Sequence, residues 1–174
     1  NNFVEETKNN LFLRIFYVFL IKLTNPVVLT NSMITKKYFE KKNIKSTLTY
    51  NYLPKRIILN NERIQKIISC KHYINVGRYT GQKDQMGLIN LLKDFLRENE
   101  NYQITFFGRN DDMLENYKNF TKKNNLKNLN FKYYHPKEFQ IIYEKYPVVI
   151  INSKFEGQST SLMEALSQNS ACIV

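Results

Sequence analysis

From residue 72 onward, short runs of β-forming residues alternate with stretches whose apolar residues recur at helical spacing. Parallel strands have to be joined by crossover connections, which are usually helices, so this alternation is typical of a parallel sheet. The predicted strands are residues 72–76, 102–107, 128–133, 147–151 and 171–174. The expected fold class is α/β, with a Rossmann-like parallel sheet that carries helices on both faces.

Three apolar stripes between these strands predict helices that pack on the sheet. We interpret the stripes as core rather than as cofactor contacts. Their members are Leu88, Leu91, Leu92, Phe95 and Leu96 in the first stripe, Phe139, Ile142 and Tyr143 in the second, and Leu162, Ala165 and Leu166 in the third.

The segment before His72 has a different pattern. It predicts a helix at about residues 11–23, a β-like run at 27–30 and a helix near 35–42, followed by Asn51 and a turn that contains Pro54. We expect residues 1–54 to be the end of another domain with its linker, and residues 55–174 to be a binding domain truncated at its C-terminus. The lack of an initial Met and the apolar run ending at Val174 lead us to expect a piece of a longer chain.

The composition is strongly basic, with 26 Lys and Arg against 15 Asp and Glu, and a net charge of +11. Such a charge favours anionic partners, which include nucleotides, phospholipid surfaces and nucleic acid. Nucleic-acid binding is disfavoured because most aromatic residues lie on the predicted strands and core stripes, and no RNA-binding signature is present. Paired lysines are typical of a solvated surface, so the charge alone selects no partner.

Two further features bear on the compartment. Cys70 and Cys172 have neither metal-ligand spacing nor a disulfide framework, which indicates a reducing environment. The apolar stretch 11–23 is shorter than the roughly 20 residues that span a bilayer, and Arg14 and Lys22 interrupt it. It predicts an amphipathic surface anchor or a helix packed within its domain, and we favour the packed helix. We expect a cytoplasmic protein, with association to the inner face of a membrane left open.

The first chemically informative segment is residues 75–83, Asn-Val-Gly-Arg-Tyr-Thr-Gly-Gln-Lys, which follows a predicted strand and opens a helix. Gly77 allows a tight turn, and Arg78 and Lys83 place two cations at the carboxyl end of a parallel strand. Phosphates bind at such positions, and Arg and Lys readily pair with a diphosphate. The spacing matches neither a Gly-x-Gly-x-x-Gly dinucleotide loop nor a P-loop, which disfavours an oxidoreductase and a P-loop enzyme.

The second informative segment, residues 152–166, again joins a strand to a helix through a loop that contains a glycine. Glu156 lies in the loop and Glu164 in the early turns of the helix, so both carboxylates can face a cleft. Residues 157–161 offer backbone N–H groups at a helix N-terminus, which suits an anion. Carboxylates accept hydrogen bonds from vicinal hydroxyls, so cations, amides and carboxylates together suit a nucleotide sugar.

Both segments resemble motifs of one enzyme family. The pair Glu156 and Glu164 resembles the Glu-x7-Glu motif of the family 4 (group 1) retaining glycosyltransferases, which have the GT-B fold. Gly77, Arg78 and Lys83 resemble their diphosphate signature, and the two motifs occur in the expected order at strand–helix junctions. The resemblance extends to Gly108 after the second strand and to Asn51, which is similar to the family's linker Asn.

The resemblance implies a role for each matching residue. Arg78 and Lys83 bind the donor diphosphate, Glu156 contacts the transferred sugar as the catalytic residue, and Glu164 binds the ribose. The other implied site residues lie in loops: Gly77, Gln158, Ser159, Thr160 and Ser161 at the diphosphate, Gly108 and Gly157 as loop glycines, and Tyr133 and Tyr134 near the base. The family retains anomeric configuration and usually needs no metal, so no cofactor is expected.

On this resemblance, residues 1–54 end an acceptor-side domain and residues 55–174 bind the donor. The expected function is transfer of a hexose-type sugar from a nucleoside-diphosphate sugar to a glycan or lipid-linked acceptor, by an enzyme that this chain alone represents only in part. The open alternatives are another GT-B enzyme, namely a sugar-nucleotide epimerase or a phosphorylase, and a non-catalytic nucleotide-binding or nucleic-acid-binding domain. His72 and His135 are interpreted as structural, and no metal site is predicted.

Overall fold

The computed structural model describes residues 10–51, 59–109 and 113–174. The chain divides into two compact units, one formed by Asn1–Tyr52 with Glu156–Ser159 and the other by Leu53–Phe155 with Thr160–Val174. The turn at Pro54, where the domain boundary is predicted, lies outside the described residues.

In the first unit, helices and short strands alternate: α1 (Leu11–Thr24), β1 (Val28–Thr30), α2 (Met33–Glu40) and β2 (Ser46–Leu48). The strands are parallel neighbours, with Leu29 opposite Thr47. The Asn10 side chain caps α1 by accepting a hydrogen bond from the Leu13 N–H at 2.9 Å, and Asn25 ends the helix in the left-handed conformation. The two predicted helices and the β-like run are present, and β2 is an additional strand.

The packed helix that we favoured is present only in part: Val18 and Ile21 of α1 are half-buried, but none of its residues is fully buried. Its Arg14 guanidinium lies over the Tyr38 ring of α2, 4.8 Å from the centroid, while Leu11, Phe12 and Leu23 are at least two-thirds exposed. The physical reason is that apolar residues occur around the whole circumference of α1, so that one neighbouring face cannot cover them. Across the described residues, no helix is both long and apolar enough to cross a membrane.

The second unit holds the main sheet. Its elements are α3 (Asn61–Ile68), β3 (His72–Val76), α4 (Gln85–Glu98), β4 (Gln103–Gly108), α5 (Leu114–Lys123), β5 (Leu129–Tyr133), a 3-10 turn (Pro136–Glu138), α6 (Phe139–Lys145), β6 (Val148–Ile150), α7 (Thr160–Ser167) and β7 (Ala171–Ile173). The five strands are all parallel, in the order β5-β4-β3-β6-β7. The predicted α/β class and parallel sheet are confirmed.

Helices cover both faces of this sheet, as predicted. Phe106 of β4 belongs to a buried cluster that includes Leu88 of α4 and Tyr117 of α5. The next residue, Phe107, belongs to a second cluster that includes Tyr143 of α6. Successive residues of a strand point to opposite faces, so the two clusters lie on opposite sides of the sheet.

The interpretation of the apolar stripes as core is wrong at three positions. Leu91 is 78% exposed, Phe95 42% and Leu166 51%. In α4 the buried side is centred near Gln85, which is fully buried, and Leu91 lies roughly 120° around the helix from there. In α7 the helix buries the side that carries Ala165, and Leu166 lies beyond its edge.

Candidate functional site

The strand order creates a topological switch point between β3 and β6. After β3 the chain proceeds outward to β4 and β5, and it then returns to place β6 on the other side of β3. In open parallel sheets, ligands bind in the crevice outside the carboxyl ends of the strands at such a point. The two segments singled out from the sequence are the loops that follow β3 and β6. The topology therefore places both at the edge where a ligand is expected.

Hydrogen bonds join the two loops directly. The Lys154 N–H donates to the Gln82 carbonyl at 2.9 Å, and Gln82 Nε2 donates to the Phe155 carbonyl at 3.0 Å. The Lys154 ammonium also lies 3.3 Å from Asp84 Oδ1. The loop after β3 is thereby held against the segment that leads to Glu156. Gln82, Lys154 and Phe155 lie within the two segments singled out from the sequence, and Asp84 directly follows the first, but none of them was predicted as a site residue.

Two asparagines fix the ends of β3 and β6. Asn75 is buried, and its Nδ2 donates to the Ile150 carbonyl at 2.9 Å. Asn152 Nδ2 donates to the Asp84 carbonyl at 2.7 Å. The first bond therefore ties β3 to the end of β6, and the second ties the residues after β6 to the start of α4.

Gly77 and Lys83 are in close contact in the loop after β3. A Cβ added to Gly77 would lie 3.2–3.3 Å from three carbons of the Lys83 side chain, Cγ, Cδ and Cε. The Gly77 N–H donates to the Phe107 carbonyl at 2.9 Å, which ties the start of the loop to β4. The glycine thus leaves room for the lysine stem to lie against the end of β3.

Arg78 has a fixed backbone and an exposed side chain. Its carbonyl accepts hydrogen bonds from the Thr80 N–H at 2.9 Å and from Nε2 of the buried Gln85 at 2.8 Å. An exposed guanidinium on a well-fixed backbone is suited to reach an anion at the crevice.

Gly108 allows Tyr79 to pack across the ends of the strands. The Tyr79 side chain is 2% exposed, and its hydroxyl donates to the Phe106 carbonyl at 3.0 Å. A Cβ on Gly108 would lie 2.6 Å from Tyr79 Cε2 and 2.7 Å from the Gly77 carbonyl oxygen. The Tyr79 ring and the Gly77 backbone approach Gly108 so closely that only glycine fits there. This packing gives a structural reason for glycine at the predicted position.

Glu164 is half-buried in α7 and accepts hydrogen bonds from two tyrosines. Its Oε2 accepts from the Tyr134 hydroxyl at 2.9 Å and from the Tyr143 hydroxyl at 3.2 Å. Burial raises the pKa of Glu164, and the two hydroxyls act in the opposite direction. Burial followed by the nearby carboxylate also raises the pKa of both tyrosines, so both stay protonated donors.

The two residues predicted near the base have different environments. Tyr133 is 57% exposed at the end of β5. The Tyr134 ring packs against the second core cluster, and its N–H donates to the Gly108 carbonyl at 2.7 Å. Only Tyr133 presents an open ring surface, and the base contact stays a prediction for both residues.

The predicted loop residues before α7 belong partly to the first unit. There, Gln158 Oε1 accepts a hydrogen bond from the Asn51 N–H at 2.8 Å. Gly157 is close to Ser32: a Cβ added to the glycine would lie 3.3 Å from the Ser32 Cβ. Ser159 is buried. Glu156 is half-buried in the same loop. The shared cleft predicted for this loop with Arg78 and Lys83 stays a prediction.

The last two predicted diphosphate residues begin α7. Thr160 is exposed, whereas Ser161 is buried and its carbonyl lies 3.2 Å from the Tyr143 hydroxyl. Among the described residues, no three His, Cys, Asp or Glu side chains are grouped so that they could hold a metal ion.

The family of the chain follows from a sequence comparison. The model of "Glycosyl transferases group 1" matches residues 60–174, which contain both loops of the crevice. The chain belongs to this family. A search of curated proteins gave no match for this group 1 chain.

Three solved structures have a similar fold. A mutant of S. aureus TarM in complex with fondaparinux, α-GlcNAc-glycerol and UDP gives a TM-score of 0.71 at 15% identity, covering 84% of the group 1 chain and 29% of TarM. The pneumococcal O-GlcNAc transferase GtfA in complex with UDP and GlcNAc gives 0.66 at 15% identity, covering 84% and 29% of the two chains. Anabaena HepE in complex with UDP-glucose gives 0.63 at 13% identity, covering 84% and 43%.

These likenesses show the fold, which is that of the C-terminal domain of a GT-B glycosyltransferase. The chain spans 29% of the length of the first two structures and 43% of the third.

Proposed function

We propose that this chain is the donor-binding part of a retaining glycosyltransferase, of family 4, that transfers a hexose-type sugar from a nucleoside-diphosphate sugar. The observation that carries the proposal is the joining of the loop after β3 to the segment that leads to Glu156, through Gln82 and Lys154, at the switch point of the sheet. Two motifs that bind different parts of one ligand have to lie at the same edge of the sheet, and these two loops do.

The diphosphate is the first element of the proposed ligand. Lys83, with its stem laid over Gly77, and Arg78, with its exposed guanidinium, are cations on the same short loop. As the bond between sugar and diphosphate breaks, negative charge accumulates on the departing phosphate oxygens. Cations fixed beside those oxygens stabilise this charge more in the transition state than in the ground state.

The sugars are the second element. We assign Glu164 to the ribose, because its carboxylate is half-buried and oriented by two tyrosine hydroxyls, which suits a fixed acceptor for a diol. Glu156 is assigned to the transferred hexose, since it lies in the loop rather than on the helix. The backbone N–H groups of residues 158–161 complete the diphosphate site in this proposal.

The proposed reaction exchanges one bond at the anomeric carbon for another. The bond from that carbon to the diphosphate oxygen breaks, the acceptor hydroxyl oxygen bonds to the same face, and the acceptor proton passes to the departing diphosphate. Configuration is thereby retained, and no metal is required. The acceptor is a glycan or a lipid-linked glycan in this proposal, and the enzyme acts in the cytoplasm or at the inner face of the membrane. We propose no nucleic-acid partner.

The test is a stability screen of the full-length protein with a panel of nucleotide sugars. A ligand that binds only the folded state raises the unfolding free energy by RT ln(1 + [L]/Kd), or about 2.7 kcal/mol at one hundred times Kd. We expect stabilisation by at least one of UDP-glucose, UDP-GlcNAc, UDP-galactose and GDP-mannose, and a smaller effect of UMP or free glucose at the same concentration.

Two other outcomes would change the assignment. Stabilisation by single-stranded oligonucleotides, lost steeply as salt is raised, together with no response to any nucleotide sugar, would support the nucleic-acid alternative. Mass spectrometry of the products separates the enzyme alternatives, since an epimerase returns a nucleotide sugar and a phosphorylase requires inorganic phosphate. A transferase releases a nucleoside diphosphate and a glycosylated acceptor.

A further inference from the structure

The hydrogen bonds to Glu164 come from two separate elements and converge on one oxygen. Tyr134 follows β5, and Tyr143 is the fifth residue of α6. Both hydroxyls point to Oε2, at 2.9 Å and 3.2 Å, and the Tyr143 hydroxyl shares its one proton between Oε2 and the Ser161 carbonyl, which is also 3.2 Å away. A carboxylate held at one oxygen from two directions has lost most of its rotational freedom about its terminal bond.

Both tyrosine rings are held in place by packing. Tyr143 has no exposed surface and lies inside the second core cluster, and the Tyr134 ring packs against the same cluster. Rings that cannot move give hydroxyls with fixed positions, which is what supporting contacts to a functional group require.

The other oxygen of Glu164 remains available. Among the described residues, Oε1 accepts no hydrogen bond, whereas Oε2 accepts two. Glu164 is only half-buried, so part of the residue is open to solvent. Oε1 is absent from the fully buried polar atoms that lack a partner among the described residues, so water or a ligand can reach it.

We infer that Tyr134 and Tyr143 are positioning residues that hold Glu164 by Oε2 so that Oε1 accepts a hydroxyl of the donor ribose. The inference rests on the proposed function, and it extends it by assigning a task to two residues outside both loop motifs. Tyr143 had been interpreted only as core, and Tyr134 only as a neighbour of the base.

The same contacts favour the charged form of the carboxylate, against the effect of burial. Burial raises the pKa of Glu164, and the hydroxyls of Tyr134 and Tyr143 lower it. The Cys172 thiol of β7 packs against the same cluster, and burial raises its pKa, so it stays neutral. Removing a hydroxyl should therefore raise the pKa of Glu164 and protonate it at higher pH.

The test uses Tyr134→Phe, Tyr143→Phe and the double variant in the full-length protein, with UDP-glucose or whichever nucleotide sugar the stability screen selects as donor. We expect each single variant to raise the donor KM about 3- to 10-fold and the double variant about 10- to 100-fold, with kcat within about twofold. The acid limb of the kcat/KM profile should move to higher pH in each variant.

Tyr146→Phe is the matched control. Tyr146 is also buried and immediately follows α6, but its ring contacts His72 and Phe107 instead of Glu164. Tyr146→Phe should keep the wild-type donor KM and pH profile. If loss of any buried hydroxyl raised the donor KM by loosening the core, this control variant would show the same rise. If Tyr143→Phe does not fold, the half-buried Tyr134→Phe still gives the result.

Glu164→Gln distinguishes a failure of the tyrosine positioning role from a failure of the ribose assignment. If it raises the donor KM while both tyrosine variants keep the wild-type KM and pH profile, the positioning role is overturned and the proposed function stands. If Glu164→Gln itself leaves the donor KM unchanged, the ribose assignment fails, and the role of the tyrosines fails with it. A raised KM in all three, with a shifted acid limb in the tyrosine variants, supports the inference.

Discussion

The stem of Lys83 lies directly over Gly77, with its Cγ, Cδ and Cε atoms 3.2–3.3 Å from the position of an added Cβ. Gly77 has an ordinary negative φ, so the glycine is not required by backbone conformation there. Its importance is steric, because an added Cβ would force the lysine stem to shift by a few tenths of an ångström. This contact links the first residue of the predicted diphosphate motif to its last.

Gly77→Ala should weaken donor binding by displacing Lys83. We expect the Kd for UDP-glucose, measured by calorimetry, to rise about 3- to 10-fold, since a charge-assisted hydrogen bond is worth about 1.5–3 kcal/mol and would be weakened rather than lost. Lys83→Met should cost about 10- to 100-fold. Gly81→Ala is the control, because an added Cβ there meets nothing within 4 Å. An equal loss in Gly81→Ala would refute the steric argument.

Gly108→Ala should destabilise the fold. An added Cβ would lie 2.6 Å from the Tyr79 ring and 2.7 Å from the Gly77 carbonyl, and neither can move without disturbing the strand ends. Overpacking of this kind costs about 1–3 kcal/mol, which urea denaturation would measure as a lower unfolding free energy. Restoration of stability in the double variant with Tyr79→Leu would identify the ring as the obstacle. Wild-type stability of Gly108→Ala alone would contradict the packing described here.

Arg63 should be a major contributor to stability. Its guanidinium donates to the carbonyls of Tyr143, Glu144, Gln168 and Asn169, at 2.6, 2.7, 3.2 and 3.4 Å, and to Ser170 Oγ at 3.1 Å. It therefore joins the C-terminal ends of α6 and α7, where backbone carbonyls lack helical partners. We expect Arg63→Met to lower the unfolding free energy by about 2–4 kcal/mol.

The control for Arg63 lies on the same helix. Lys66→Ala removes an exposed i,i+4 ion pair with Glu62, and such solvent-screened pairs contribute little to stability. A loss of similar size in the two variants would show that Arg63 acts as an ordinary surface charge.

Glu164 should make stability depend on pH. Its pKa is raised by burial, so the folded protein binds this proton more tightly than the unfolded chain does. The resulting stabilisation is complete below the ordinary glutamate pKa and is lost as the pH rises through the raised value. The unfolding free energy of the wild type minus that of Glu164→Gln should therefore decrease between acid and neutral pH in the absence of donor. A pH-independent difference in urea denaturation would contradict the shift.

The sequence predicted the strands of the second unit well, and for a physical reason. Strands buried on both faces are rich in β-branched and aromatic residues, as in residues 103–108 and 148–150, and glycine or polar residues end them. Helix α5 was missed because it carries few apolar residues, and it buries only Leu114, Tyr117 and Thr121. Helix α3 has Ile64, Ile67 and Ile68 at helical spacing, but this stripe is only five residues long. Strand β2 is only three residues long, too short to show a period.

The contacts that organise the site could not be predicted from local sequence patterns. Strand order depends on pairing across long separations, so the position of β6 beside β3 could not be derived from the periodicity that identified each strand. Arg63 bonds mainly to backbone carbonyls, which every residue has, and no residue type marks its acceptors. The Tyr134–Glu164 bond joins two residues for which the family resemblance implied different roles, one near the base and one at the ribose.

The measurement that most directly tests the central claim is the kinetics of Glu156→Gln and Glu164→Gln against donor concentration in the full-length enzyme. Glu156 is assigned to the reacting sugar, where a hydrogen bond that strengthens in the transition state acts on kcat, whereas Glu164 is assigned to the non-reacting ribose and acts on binding. We predict that Glu156→Gln lowers kcat and Glu164→Gln raises the donor KM, each by about one to two decades. If both variants stay within about threefold of wild type in kcat and donor KM, the two carboxylates are structural and the nucleotide-sugar site described here is wrong.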